Sequence, residues 1–342
     1  MLRRIVPSLL TTLVLAATTL VPLSDLGPEP YHWGYYGGLW ENGLNTLPPE
    51  HAVAGLAAAT TIVPRNANGA PDPNGRVGVL LVGGPLVGQV ACGGGWEDEC
   101  DPDSFLARAK IDVRIRSSNV RFINGSSTTS DPRVWQSPGS PEYERIRSTR
   151  LAASSLSEKQ VQAAWILLNN PAPFEPLPVP SADAYQMKIY LSSALRAMKK
   201  RYPNLAVTYV SSSVYRGYSA AGEPYGYEDG LTVRWTVVGQ VETMRVAKIG
   251  PHWDTRLGSL NYETGAVPWL SWGPYLWADG ANPRSDGLTW ERQDFRSDGE
   301  TLTRSGVAKI SSRLLEFLVH EPTAKNWLDV APVASRRRVA TP

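Results

Sequence analysis

The sequence predicts a three-layer α/β/α fold on a doubly wound parallel sheet of about five strands, of flavodoxin-like type. Three observations predict it. Short apolar runs rich in β-branched residues recur along the chain, longer stretches of helical periodicity separate them, and the runs lack a polar face, as strands covered on both sides require. Such alternation gives parallel pairing through right-handed crossovers. It also places the ligand crevice beyond the carboxyl ends of the strands.

The elements follow in order. Met1-Leu2-Arg3-Arg4 precedes an apolar run from Ile5 to Val21, so residues 1–24 read as a signal peptide for secretion or export to a periplasm. An uncleaved anchor stays open, since the run is only slightly short of the ~18 to 20 residues that span a bilayer. Residues 25–75 form a loop-rich extension of Gly, Pro, Asn and aromatics, expected to wrap over the sheet. Its helix, 49–59, opens with a proline in the first turn, where the missing N–H costs little. The domain proper covers 76–328, and its first strand, 76–82, lies between Asn74-Gly75 and Gly83-Gly84.

Similar runs at 120–123, 161–168 and 205–210 are the next strands. Helices are expected at 103–115, 141–153, 182–202, 230–246 and 305–318. Met187, Leu191, Ala194 and Met198 line one face of the third of these, and Val307, Ile310, Leu314 and Phe317 one side of the last. Residues 329–342, with Arg336-Arg337-Arg338, read as a disordered basic tail.

Composition narrows the function. With 342 residues, 42% of them hydrophobic, the chain can bury a full core. Its formal charge of +2 is more than covered by the tail arginines, so the body is near neutral and lacks the basic stripe that nucleic acid requires. No membrane contact is expected beyond the leader. Cys92 and Cys100 flank a glycine-rich loop and read as a local disulfide. Two thiols without nearby histidines are too few ligands for zinc. Neither a metal nor a cofactor is expected, since no nucleotide-binding glycine fingerprint occurs.

More specific segments are Gly37-Gly38-Leu39 with Asn42-Gly43, the Asp72-Pro73-Asn74-Gly75 turn, Arg201-Tyr202-Pro203-Asn204-Leu205, Gly273-Pro274-Tyr275-Leu276-Trp277-Ala278, and Pro283 to Trp290. With the strand ends and the block Ser297 to Thr303, they resemble the SGNH (GDSL-like) hydrolases, especially a secreted bacterial group. The resemblance runs from about Tyr31 to Trp327. It implies a serine nucleophile after the first strand, an oxyanion glycine after the second, an asparagine after the third, and an aspartate and histidine before the last helix.

Matched singly, these positions are degenerate. Pro85 stands where the serine belongs, which removes the hydroxyl and also an oxyanion N–H. Thr129 replaces the glycine and Thr301 the histidine, so no imidazole is left to shuttle a proton near neutral pH. Asn170 and Asp298 match the family's asparagine and aspartate. Surrogates for the missing groups are His252 with Ser126, Ser127 or the serines at 211–213. Against that, a lone loop histidine and serines at strand ends commonly have structural roles.

Trp272, Tyr275 and Trp277 sit among Gly, Pro and Asp, as sugar-stacking platforms do, although the same pattern suits aromatics that fill a core. The expectation is a secreted SGNH-like protein without hydrolytic activity, whose crevice binds a glycan or small acylated ligand. An esterase with relocated Ser and His and a structural partner in an envelope complex are the alternatives.

Overall fold

The computed structural model describes residues 20–32, 34–93, 99–246 and 254–329. Five strands, β1 (Val77–Gly83), β2 (Val120–Asn124), β3 (Val161–Leu167), β4 (Val207–Val210) and β5 (Trp269–Trp272), form one sheet in the order β2-β1-β3-β4-β5. All pairings are parallel. The chain therefore starts in the centre, steps to one edge and returns to build outward on the other side. Its switch point lies between β1 and β3, where open α/β sheets leave a crevice.

Every residue of β1, β3, β4 and β5 is buried. Their side chains alternate between two cores. Leu80, Val82, Ala164, Ile166, Val210 and Leu270 face helices α6 (Asp183–Arg201) and α7 (Tyr225–Val246). Val79, Leu81, Ala163, Trp165, Tyr209 and Trp269 face α3 (Pro85–Cys92), α4 (Phe105–Ile111), α8 (Arg304–His320) and α9 (Pro322–Leu328). The three-layer arrangement is thus the one the sequence predicts. Among the described residues no helix is long and apolar enough to cross a membrane.

Several elements differ from expectation. The 103–115 helix shrinks to α4, because Asp112 ends it and ties up Arg114. Residues 141–153 split into α5 (Pro141–Arg145) and a wider π-turn, Ile146–Leu151. Helix α7 begins five residues early, taking in Glu228 and Asp229, which are buried. β5 was not anticipated: Trp269-Leu270-Ser271-Trp272 has no β-branched residue, and pairing of Val207 with Trp269 and Val210 with Trp272 makes it a strand. Nor was α3, which starts at Pro85 immediately after β1 and ends at left-handed Gly93.

The extension is tied down at many points. It carries α1 (Leu23–Leu26) and α2 (Pro49–Thr60). Arg234 of α7 donates to the carbonyls of Gly38 and Trp40, and Trp272 Nε1 to that of Leu39. Leu23 is fully buried, and its N–H donates to the Tyr275 hydroxyl. The folded part thus reaches back into the stretch read as leader. Cys92 and Cys100 form a disulfide that joins the end of α3 to the following loop.

Candidate functional site

The loops that leave β1, β2 and β3 continue the ladder before they diverge. Gly125 N–H donates to Leu81 O (2.8 Å), Ser127 N–H to Gly83 O (2.7 Å), and Asn169 N–H to Ser130 O (3.0 Å). This holds the β2 loop against the start of α3 so closely that a Cβ on Gly84 would lie 2.6 Å from Ser130 N. Beyond these loops a cavity of about 290 Å³ opens at the switch point.

Pro85, Leu86 and Gln89 of α3 form one wall. Thr128, Thr129 and Ser130 form the second, Asn169 and Pro171 the third, and the 213–216 turn the fourth. Phe295 and Gly299 to Thr301 close it from the segment before α8. Gly299, at φ +71°, is required there: a Cβ would sit 2.0 Å from the Tyr218 carbonyl oxygen.

Pro85, Thr129 and Thr301, far apart in the chain, therefore meet in one crevice. Pro85 occupies the first turn of α3, after Gly84 as N-cap, and brings neither hydroxyl nor N–H. Thr129 donates its N–H to Ser127 Oγ (3.4 Å). The Thr301 hydroxyl and N–H, with the Glu300 N–H, all donate to the Asp298 carboxylate. Those bonds hold Asp298 below the usual carboxylate range. Asp298 is an exposed loop-capping residue outside the cavity wall.

The asparagine in the wall is Asn169, one residue before the expected Asn170. Asn169 Nδ2 donates to Ser213 Oγ (3.1 Å). The side-chain oxygen of Asn170 instead accepts from Ala172 N–H (3.1 Å), and its carbonyl accepts from Arg216 Nη1. Ser126 and Ser127 do not line the cavity, and Arg145 donates to the Ser126 carbonyl. His252 lies outside the described residues. His51 is buried on the far side of β5, where its Nε2 meets Leu270 O and burial lowers its pKa to about 4. Among the described residues no histidine borders the cavity.

The aromatic segment is core rather than platform, a correction to the sequence reading. Trp272, Tyr275 and Trp277 are 4%, 5% and 0% exposed. Their polar atoms are committed: Trp272 to Leu39 O, Tyr275 to Leu23 N–H, and Trp277 to Glu223 (2.9 Å). A ring enclosed in this way offers no face to a sugar.

The sequence reading missed an acidic group packed behind the 213–216 turn. Glu223 accepts from Arg216 N–H, Tyr227 N–H and Trp277 Nε1. Glu228 accepts from Leu177 N–H and the Tyr31 hydroxyl, and burial raises its pKa to about 7. Asp229 is enclosed and raised to about 8, chiefly by burial, and its Oδ2 has no hydrogen-bond partner. Three acids within seven residues, just after the β4 loop, were the available signal.

A larger hollow, about 860 Å³, lies between the extension, the 284–289 turn and α8. Its charged groups are already matched: Arg284 and Arg313 both reach Asp286 at 2.7 Å, and Lys309 pairs with Asp294. The smaller crevice has the position and the unmatched groups expected of a ligand site.

No family model and no curated protein matches the chain. Two solved structures are similar to it. An extracellular lipase from Streptomyces rimosus aligns with a TM-score of 0.30 and 12% identity, over 70% of this chain and 99% of that one. A salicylyl-acyltransferase from a tetracycline biosynthetic pathway aligns with a TM-score of 0.33 and 12% identity, over 74% of this chain and 58% of that one.

Proposed function

We propose that this is an exported, SGNH-like protein whose crevice binds a glycan or small acylated ligand without hydrolysing it. The observation that carries the reading is Pro85 in the first turn of α3, at the mouth of the crevice. An acyl-transfer site needs a nucleophile there and a neighbouring group that titrates near neutrality. Among the described residues the lining groups that carry charge are Arg216 and Glu300, and neither suits the role of general base toward a serine.

What remains suits binding. Neutral hydrogen-bonding groups of Gln89, Thr129, Ser130 and Asn169 alternate with apolar Leu167 and Phe295. Export is supported by the charged-then-apolar start and by the Cys92–Cys100 bridge.

Purified protein is expected to hydrolyse p-nitrophenyl acetate and butyrate no faster than buffer, and a fluorophosphonate probe is expected to label no serine. Stoichiometric labelling of Ser126, Ser127 or Ser213, abolished with turnover by mutating that one residue, would establish the esterase instead. Specific retention of one class on a polysaccharide array supports the glycan reading, and a flat array counts against it.

A further inference from the structure

We propose that the crevice recognises its ligand through a carboxylate held by Arg216, and that Glu300 is a resident counterion which the ligand displaces. This deepens the binding reading above and rests on it.

Arg216 is only 7% exposed, yet among the described residues it is the single cation that lines the cavity, and Glu300 the single anion. The two are loosely joined. Arg216 Nη2 lies 3.6 Å from Glu300 Oε1, too far for a hydrogen bond. The arginine side chain is 8% exposed and the glutamate side chain 56%. Behind it the guanidinium feels the buried acids Glu223 and Asp229, while on the cavity side its partner is the distant, half-solvated Glu300. Glu300 can return to water at little cost, because its side chain is already more than half exposed and lies beyond hydrogen-bond reach of the guanidinium.

The arginine is fixed where a ligand could use it. Its Nη1 donates to the Asn170 carbonyl (3.0 Å), and its main-chain N–H donates to Glu223 (2.7 Å). Glu223 also accepts from Tyr227 and Trp277, which locks the turn that carries Arg216. Guanidinium presents paired N–H groups in a planar fork that matches a carboxylate, and a ligand carboxylate would gain two short bonds where Glu300 makes none. A cavity of about 290 Å³ sits at the low end for ligand pockets, with room for one sugar ring or a short aliphatic chain. A sugar acid and a short fatty acid share the recognised group, and the hydroxyl and apolar walls suit either.

The test is calorimetric titration of the full chain with galacturonate and with hexanoate, each beside its uncharged counterpart, methyl galacturonate ester and hexanamide. At least one acid is expected to bind and its neutral counterpart to fail; which acid binds identifies the source. Glu300→Gln is expected to tighten that binding about tenfold, and Arg216→Gln to weaken it about a hundredfold, with Arg216→Lys between them.

The Glu300 side chain is exposed, so Glu300→Gln keeps the test valid should Arg216→Gln fail to fold. The proposal is overturned if neither acid binds the wild type or Glu300→Gln, or if amide and acid bind alike. Binding of a neutral sugar that survives Arg216→Gln would sink the carboxylate role and leave the crevice a binding site. Loss of all binding, neutral sugars included, would sink both.

Discussion

Replacing Asp229 by asparagine is expected to raise the melting temperature at pH 8 by several degrees and to flatten the pH dependence of stability. Burial lifts this carboxyl from its ordinary value near 4 to about 8, so the folded protein keeps a proton that the unfolded chain releases. The folded pKa lies above the unfolded one. Stability from this group is therefore fully present below about pH 4 and is lost as pH rises through about 8. Glu228, raised to about 7, acts in the same direction.

Together they favour pH 5 over pH 8 by an amount on the order of a few kcal/mol, offset in part by His51, whose lowered pKa disfavours the fold below about pH 6.5. Asparagine matches the neutral acid in shape and cannot ionise, so the variant loses little at pH 5 and gains at pH 8. Thermal melts of both proteins from pH 5 to pH 8.5 decide it. Parallel profiles would show that Asp229 is charged in the fold.

Glu223→Ala is expected to be the more damaging change. It strands the Arg216 N–H, the Tyr227 N–H and Trp277 Nε1, three donors that share one carboxylate. Removing one partner of such a buried network costs roughly 3–5 kcal/mol, a large part of the stability of a domain. Glu223→Gln is expected to cost about 1–2 kcal/mol. Oε1 receives both Arg216 and Trp277, whereas Oε2 faces the Tyr227 N–H, and an amide nitrogen placed there would oppose donor to donor. Urea midpoints for the two variants should separate clearly. Equal midpoints would mean that the alanine variant rehydrates these donors.

Where sequence and structure part company, the reason is register or enclosure. Asn170 was the expected crevice asparagine, but the bond from Asn169 N–H to Ser130 O sets the exit of β3 and turns Asn169 inward. A shift of one residue along an extended chain reverses which side chain faces the site. The tryptophans failed as platforms because a loop and a core element can share a composition. Trp277 meets Glu223, and Trp272 meets the carbonyl of Leu39 in the extension, partners distant in sequence. Arg216 carried no sequence signal, since one arginine in a tyrosine- and serine-rich turn is ordinary.

By itself the sequence determined the parallel three-layer architecture and three of the groups that face the crevice. Apolar runs without a polar face admit few other packings, and a proline at position 85 brings neither hydroxyl nor N–H whatever surrounds it. Only the tertiary structure decided which asparagine lines the cavity, that the aromatic segment is enclosed, and that one arginine sits there with a distant counterion. Those facts depend on distances between segments up to 200 residues or more apart, such as Leu39 and Trp272 at 233, and on water excluded from between them, neither of which local residue order specifies.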